Sequence, residues 1–398
     1  MKVCGLDVHK DSIFCAVHNG KKPGEVKEYS TLTASIVDMA DYLHSQGVER
    51  IAMESTGIYW IPVWNILEER GFELMLVNPF LIKQMPGRKS DVKDAQWIAL
   101  LLHKGMLRSS LVPCQKIREL RVYGRKYRKL QGRTTSVVQE MDRVLVMCNI
   151  RLGSFVSDIT GKSFQRVVAS IAGGIDAPEE LLVHVHPRIR NRHGDTIREA
   201  LQGYICQHHR FTLSLLVEEY NLLEAQSEQC LKMMKALCLA DYPGEMELLK
   251  THPGVNEVAA MLFIAESGGD MKAFENSGKF SGWTGLRPRN DESAGKYKST
   301  ATTKGNKFVR TLLVQMAWAA IRTKGSHYKE KFARLAIRKS RKKALIAIAR
   351  KIGTVLWNML DKQQKYRPEL LPVYDPVKLT SKIAYHDREM QRLQSMLS

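Results

Sequence analysis

Four carboxylates and one hydroxyl stand where they could support phosphoryl chemistry. Asp7 interrupts the apolar stretch MKVCGLDV at residues 1–8. Side chains alternate across a strand, so Val3, Gly5 and Asp7 share one face while Cys4, Leu6 and Val8 take the other. A carboxylate in such a strand is costly to bury unless it is paired or binds a cation. Glu54 closes a second short apolar run, Ile51-Ala52-Met53, and leads into Ser55-Thr56-Gly57, which reads as the turn at a strand's carboxyl end. Asp91 and Asp94 stand three apart in KSDVKDAQWIALLLHKG, on one face of an expected helix whose stripe continues through Trp97 and Leu101. Oxygen ligands of this kind suit Mg²⁺, as one ion or as a pair clamping a phosphodiester. Taken singly, each acid has an ordinary reading as a turn, cap or solvated residue, with Lys89 and Lys93 as partners for the helix pair. The four together, in this order, favour a metal site. Ser293, just before Ala294-Gly295 on an expected flexible loop, adds a hydroxyl that could approach phosphorus.

Positioning those acids requires an α/β domain over residues 1–110. Periodicity predicts strands at 2–8, 12–18, 25–30, 50–54 and 72–77, with helices near 33–46, 58–70 and 91–104. The first three strands can form an antiparallel meander, with the later ones added by crossovers, giving a mixed sheet flanked by helices. Together with the order of the acids, this layout resembles ribonuclease-H-like nuclease domains. Lys10, Asn78-Pro79 and Lys89-Ser90 flank the site on expected loops, where Lys10 could help hold a phosphate but reads first as an ordinary exposed lysine.

Composition bounds the rest. The 398 residues allow two or three domains, and 44% hydrophobic content is ample for their cores. A formal charge of +20 points to a polyanionic partner. The sequence has no run of apolar residues long enough for a membrane span and no signal-peptide layout. Its seven scattered cysteines, without a CxxC pair, suggest reduced thiols in a cytosol rather than a zinc ribbon. The close histidines, His184 with His186 and His208 with His209, lack metal-ligand spacing and read as surface or core residues.

From Lys116 the texture becomes that of a long helix, with eight Lys or Arg and one Glu through Arg133. Tyr127, Leu130, Thr134, Val137, Met141, Val144 and Cys148 follow a 3,4 spacing, and Leu216, Tyr220, Leu223, Ser227, Cys230, Met234 and Leu237 repeat it. That is a coiled-coil seam, for an antiparallel hairpin or a dimerising arm, spanning 115–245 around an inserted segment at 153–210. Arg125, Lys126, Arg128 and Lys129 are candidates to track a phosphate backbone. The insert carries Arg188, Arg190, Arg192 and Arg198, and no chemistry can be assigned to it.

The third region, 246–362, opens with LLKTHPGVNEVAAMLFIAESGG. Here Pro253-Gly254-Val255 joins two short helices, a helix-hairpin-helix pattern whose turn amides can hold a phosphate. Next comes FSGWTGLRPRNDESAGKYKSTATTKGNKFVRTLLVQMAWAA, a Gly-rich polar loop with Arg287, Arg289, Lys296, Lys298, Lys304, Lys307 and Arg310, closed by an amphipathic helix. Residues 322–351 hold twelve Lys or Arg against Glu330 alone, consistent with a basic surface on packed helices. Residues 363–398 read as a peripheral tail with a short terminal helix.

Over about residues 1–360 the chain resembles the insertion-sequence transposases that pair an amino-terminal DEDD, RuvC-like domain with a carboxyl-terminal transposase domain, the bridge-RNA-guided recombinases. The motifs are GLDVHK around Asp7, MESTG around Glu54, KSDVKDA around Asp91 and Asp94, HPGV at the hairpin, then GLRPR, SAGK and TTKGNKFVR. The resemblance implies that Asp7, Glu54, Asp91 and Asp94 bind Mg²⁺ and that Ser293 is the nucleophile that becomes linked to DNA. It also implies target and donor DNA as substrates, a structured noncoding RNA pairing with both, a homo-oligomer built as a dimer of dimers, and action at the nucleoid in a prokaryotic cytoplasm. One departure bears on the serine: the family pattern reads Ser-Gly-Gly where this chain has Ser293-Ala294-Gly295, so Ser299 stands as the rival position. The alternative function is a metal-dependent, structure-specific endonuclease of RuvC-like fold that forms no covalent intermediate.

Overall fold

The computed structural model describes residues 2–21, 23–55, 57–78, 91–156, 158–288, 291–293, 296–299, 301–368 and 376–396. The chain forms two compact units, Met1–Pro113 and Cys114–Ser398.

The first unit is a five-stranded mixed sheet in the order β3-β2-β1-β4-β5. Its strands are β1 (Lys2–Val8), β2 (Ser12–His18), β3 (Pro23–Ser30), β4 (Val48–Ser55) and β5 (Glu73–Val77). β1 pairs antiparallel with β2 and parallel with β4, and β4 pairs parallel with β5, as the meander and crossovers require. Alternation along the strands divides the core between two faces. Cys4, Leu6, Val8, Ile51 and Met53 pack against α1 (Thr33–Ser45) and α2 (Trp60–Glu69) through Ile36, Met39, Leu43, Val63 and Leu67. Val3 and Ala52 face the other way, onto Ile98 and Leu102 of α3 (Asp91–His103).

The approach of α3 to β1 is set by Gly5. A Cβ at this position would lie 2.3 Å from the Ala95 carbonyl oxygen and 2.4 Å from the Ala99 nitrogen, so only glycine lets the helix backbone lie on the strand. The carboxyl-terminal end of α3 reaches the opposite end of β1, where His103 stacks on His18 at 4.7 Å and His18 pairs with Val3. The amino-terminal turn of α3 therefore points toward the carboxyl end of β1.

The second unit is built on two long helices, α4 (Gln115–Met147) and α8 (Gln207–Asp241). They run antiparallel: Lys116 pairs with Asp241, and Gln131 Nε2 donates to Ser227 Oγ at 3.3 Å. Leu130, Thr134, Val137, Met141, Val144 and Cys148 are buried between them with Leu216, Leu223, Ser227 and Met234, all at the 3,4-spaced positions. The expected insert folds as a helical cluster at the far end, with α5 (Lys162–Ala172), α6 (Pro178–Val183) and α7 (Pro187–Ala200) closing a core of Phe164, Val168, Leu181 and Ile197 on Leu145 and Leu213. Its entry and exit are tied together by Tyr204 N donating to Cys148 O and Arg151 N donating to Ala200 O, both at 2.9 Å. His186 caps α7 by accepting from Arg188 N, and His209 is buried.

At the near end lie α9 (Pro243–Lys250), α10 (Glu257–Ser267), α11 (Ser277–Trp283), α12 (Lys307–Arg322), α13 (His327–Arg338) and α14 (Arg341–Asp361). The HPGV turn between α9 and α10 packs inward: His252 is buried and its Nε2 lies 2.7 Å from Tyr328 Oη. The terminal helix, α15 (Pro376–Ser395), is 20 residues long rather than short. No helix among the described residues is long and apolar enough to cross a membrane.

Candidate active site and nucleic-acid surface

Asp7 and Glu54 are direct partners in the parallel pairing of β1 with β4. Their Cα atoms therefore stand about one inter-strand spacing apart, ~4.8 Å. Both fall on the α3 face, because Leu6 and Met53 next to them belong to the opposite core. They sit at the carboxyl ends of parallel strands, where open α/β sheets place their ligand crevice. Asp7 is buried and Glu54 partly buried. Asp94 is partly buried in the amino-terminal turns of α3, the part of the helix directed toward that end of β1. Three of the four acids are thus brought to one end of one face by register and by the Gly5 contact. Asp91 begins α3, but its side chain lies outside the described residues, as do Pro79, Lys89 and Ser90. Among the described residues, no three His, Cys, Asp or Glu side chains form a ready cluster for one metal ion. The donor chemistry, adjacent carboxylates on a largely buried face, fits a hard divalent cation.

A residue without an assigned role in the sequence reading joins this group. His9 Nε2 lies 3.2 Å from Asp7 Oδ2, and its ring packs edge-on against Phe14, the antiparallel partner of Asp7. The signal was present in GLDVHK, where an imidazole follows Asp7 just past the end of the strand. Lys10, by contrast, is exposed.

Ser293 ends β6 (Asp291–Ser293) and pairs with Lys296, the first residue of β7 (Lys296–Ser299). The stretch expected as a flexible loop therefore holds a hairpin, with the two candidate serines at opposite ends: Ser293 beside its turn, Ser299 opposite Asp291 at its base. The side chains of Ser293 and Lys296, and all of Arg289, lie outside the described residues. The base is laced to its surroundings. Pro288 bridges to Thr302, Thr303 N donates to Arg287 O at 2.8 Å, and Asn306 N donates to Trp283 O at 2.8 Å. Gly305 allows this closeness, since a Cβ there would lie 2.3 Å from Gly285 N. Asn306 also caps α12, accepting from Phe308 N at 2.9 Å, and its Nδ2 donates to Glu266 Oε2 at 2.9 Å.

Glu266 connects the hairpin base to α4. It is 4% exposed, and Arg125 donates to both of its oxygens, at 2.9 and 3.1 Å. Burial pushes the carboxyl upward, but the hydrogen bonds from Arg125 and Asn306 and the charges of Arg125 and Arg121 outweigh it and hold the group below the usual range. Arg128 donates to Phe308 O at 3.0 Å. Two of the four α4 cations expected to track a phosphate backbone are thus turned into the helical unit, where they join α4 to α10 and α12. Lys126 and Lys129 are exposed, as are Arg287 and Lys304, and Arg310 is partly buried. A groove of about 780 Å³ opens beside Arg128, lined also by Gln131, Asn256, Thr311 and Gln315. It includes neither the hairpin nor the carboxylates.

Two family models match the chain, the first running past the α/β unit to the end of α4. The model for DEDD-type IS110 transposases matches residues 4–150, and that for transposases of the IS116/IS110/IS902 family matches residues 246–333. A "probable family 20 transposase" of Pseudomonas aeruginosa is 23% identical over 325 residues, 80% of this chain and 86% of that protein. The transposase for insertion sequence element IS1111A of Coxiella burnetii is 30% identical over 131 residues, 31% of this chain and 35% of its own length. Among solved structures, RuvC of T. thermophilus in complex with a Holliday junction substrate aligns with 28% of this chain and 99% of its own, at 17% identity and a TM-score of 0.23.

Proposed function

The chain belongs to the IS110/IS116 family of insertion-sequence transposases, and from that premise we propose that it is an RNA-guided DNA recombinase working through a covalent phosphoserine intermediate. The observation that carries the catalytic part is the pairing of Asp7 with Glu54 at the carboxyl ends of β1 and β4, on the face where α3 brings Asp94. Asp7, Glu54, Asp91 and Asp94 would hold Mg²⁺, which when bound neutralises charge at a phosphodiester and makes a hydroxyl a better nucleophile. His9 holds the Asp7 carboxylate in orientation. Ser293 Oγ attacks phosphorus; the new O–P bond forms as the bond to one deoxyribose oxygen breaks, and the departing hydroxyl takes up the proton that the serine gives away. The reverse attack by a DNA hydroxyl rejoins the strand and frees the serine, with the phosphodiester energy conserved. Exposed Lys126, Lys129, Arg287 and Lys304 supply phosphate contacts. The bridging RNA and the dimer of dimers are supported by the sequence resemblance alone.

The test is a strand-exchange reaction on a trapping substrate. The expected product is DNA attached to the peptide containing Ser293, lost in Ser293→Ala and retained in Ser299→Ala. Asp7→Asn and Asp94→Asn should abolish cleavage in Mg²⁺ while leaving nucleic-acid binding in place. Efficient cleavage without an adduct would replace the recombinase reading with a hydrolytic nuclease, and a protein purified without any associated noncoding RNA would remove the guide.

A further inference from the structure

We propose that the helical unit carries a built site for a backbone phosphate of duplex DNA at the carboxyl end of α14, formed by Lys351, Lys362, Lys365 and Arg367. The inference rests on the reading of the chain as a DNA recombinase, but uses none of the residues assigned to that chemistry. α14 ends at Asp361, and the chain then turns back, with Gln363 at φ 50° and Gln364 N donating to Met359 O at 2.9 Å. Tyr366 pins the returning segment: its N–H donates to Thr251 Oγ1 at 3.0 Å, and its ring stands edge-on to His252 at 4.8 Å. The segment expected as the start of a peripheral tail is thus fastened beside the HPGV turn. Between it and α14 lies a concavity of about 260 Å³ lined by the four cations with Thr354 and Tyr366.

No carboxylate among the described residues lines this concavity. Glu247 acts on Lys365, but it is already paired with Lys250 at 2.7 Å. On α13 the Lys331 ammonium is held below its usual range by burial and then by the charges of Lys351 and Arg334. Convergent cations in a concavity that no described carboxylate lines repel one another, and a fold that fixes them there gains when an anion enters. Lysine ammoniums with an arginine fork are the chemistry that recognises a phosphate. Lys362, Lys365 and Arg367 are exposed at the rim, which suits a polymer lying across the site more than a small enclosed anion. Lys351 of the concavity also closes the segment 322–351, which holds twelve cations and one Glu.

The test uses the full chain and measures duplex DNA binding against salt concentration, without any cleavage step. One variant carries Lys351→Gln, Lys362→Gln, Lys365→Gln and Arg367→Gln; its control loses the same charge from exposed positions through Lys339→Gln, Arg341→Gln, Lys342→Gln and Lys343→Gln. The site variant should lose about tenfold in affinity at 0.1 M salt, and its salt slope should become shallower by about 0.9 for each phosphate released, with smaller changes in the control. Without DNA, its thermal midpoint at low salt should match or exceed that of the parent, because repulsion is relieved; a packing role would lower it. Equal losses in both variants would reduce the site to general charge and overturn the proposal. So would losses confined to RNA, or stabilisation of the parent by inorganic phosphate at matched ionic strength with unchanged DNA binding. Because binding is read apart from chemistry, failure of the serine adduct would leave this result interpretable.

Discussion

In the α/β unit, Asp7 and Glu54 are brought side by side by strand register, and a single close contact at Gly5 aims α3 at them. In the helical unit, the hairpin bearing Ser293 is held instead by a relay of polar contacts from residues distant in sequence: Arg125 to Glu266, Glu266 to Asn306, Asn306 to Trp283. The first arrangement is steric, and the second is polar and centred on the buried Glu266. Steric positioning fails through clashes, ionic positioning through stranded charge.

The contrast can be broken at Gly5. Gly5→Ala should cause the largest effect, because the new Cβ meets helix backbone rather than a yielding side-chain end. Loss of cooperative unfolding in the α/β unit and loss of cleavage are expected, read by circular dichroism and a nicking assay; a folded, active variant would mean that α3 does not depend on this contact. In the helical unit, Glu266→Ala strands the largely buried Arg121, removes a shared partner of Arg125 and Asn306, and should cost about 3–5 kcal/mol. Denaturant unfolding would check this, and a loss below 1 kcal/mol would show that the relay carries little.

The core between α4 and α8 comes next. Met141→Ala should cost about 2–5 kcal/mol by opening a cavity, again measured by denaturant unfolding; a near-neutral result would mean that the helix pair collapses around the site. His252 offers a pH-dependent probe. Burial lowers its pKa from 6.5 to about 4, so the unfolded chain binds the proton first. Its stabilising contribution is complete above pH 6.5 and disappears as pH falls toward 4, by up to about 3 kcal/mol. His252→Gln should flatten that part of the stability curve relative to the parent, and identical slopes would remove the assignment. The smallest effect is expected at Gly124, within α4. A Cβ there would press on Leu262 Cδ2 at 3.2 Å, a side-chain end that can yield, and touch Met234 Cε and Ala265 Cβ at ordinary contact distances of 3.6 and 3.7 Å, while helix propensity improves. Gly124→Ala should shift stability by less than about 1 kcal/mol in either direction, so a large loss would reveal steric positioning in this unit as well.

Legibility in the sequence followed the same division. The strands of the α/β unit, the meander of its first three and the positions of Asp7 and Glu54 near strand ends were readable because period-two alternation and apolar runs encode them directly. The 3,4-spaced positions from Leu130 to Cys148 were readable for the corresponding reason in helices. Hidden were the features that depend on partners remote in sequence. Arg125 and Arg128 look like surface cations in a run of eight, and only Glu266 and the Phe308 carbonyl reveal them as ties to α10 and α12. The β6–β7 hairpin was masked by glycine and charge, since strands of three and four residues are too short to show a period. Tyr366 looked like tail because its partners, Thr251 and His252, lie more than a hundred positions earlier.

The close tie at the far end of α4 and α8, Cys148 to Tyr204 and Arg151 to Ala200, has a consequence for how this protein can change over generations. The chain departs and re-enters through one narrow doorway, so everything beyond it behaves as a cassette. A genetic event that lengthens or exchanges the cassette's outer loops leaves the ends of the long helices in place at a slowly growing cost of loop closure, whereas one that removes α5 or α6 also uncovers Leu145 and Leu213. Replacing 152–201 with a short glycine turn and finding the unfolding midpoint of the remaining helical unit preserved would establish that independence; a collapsed midpoint would show that the cassette clamps the helices it rides on.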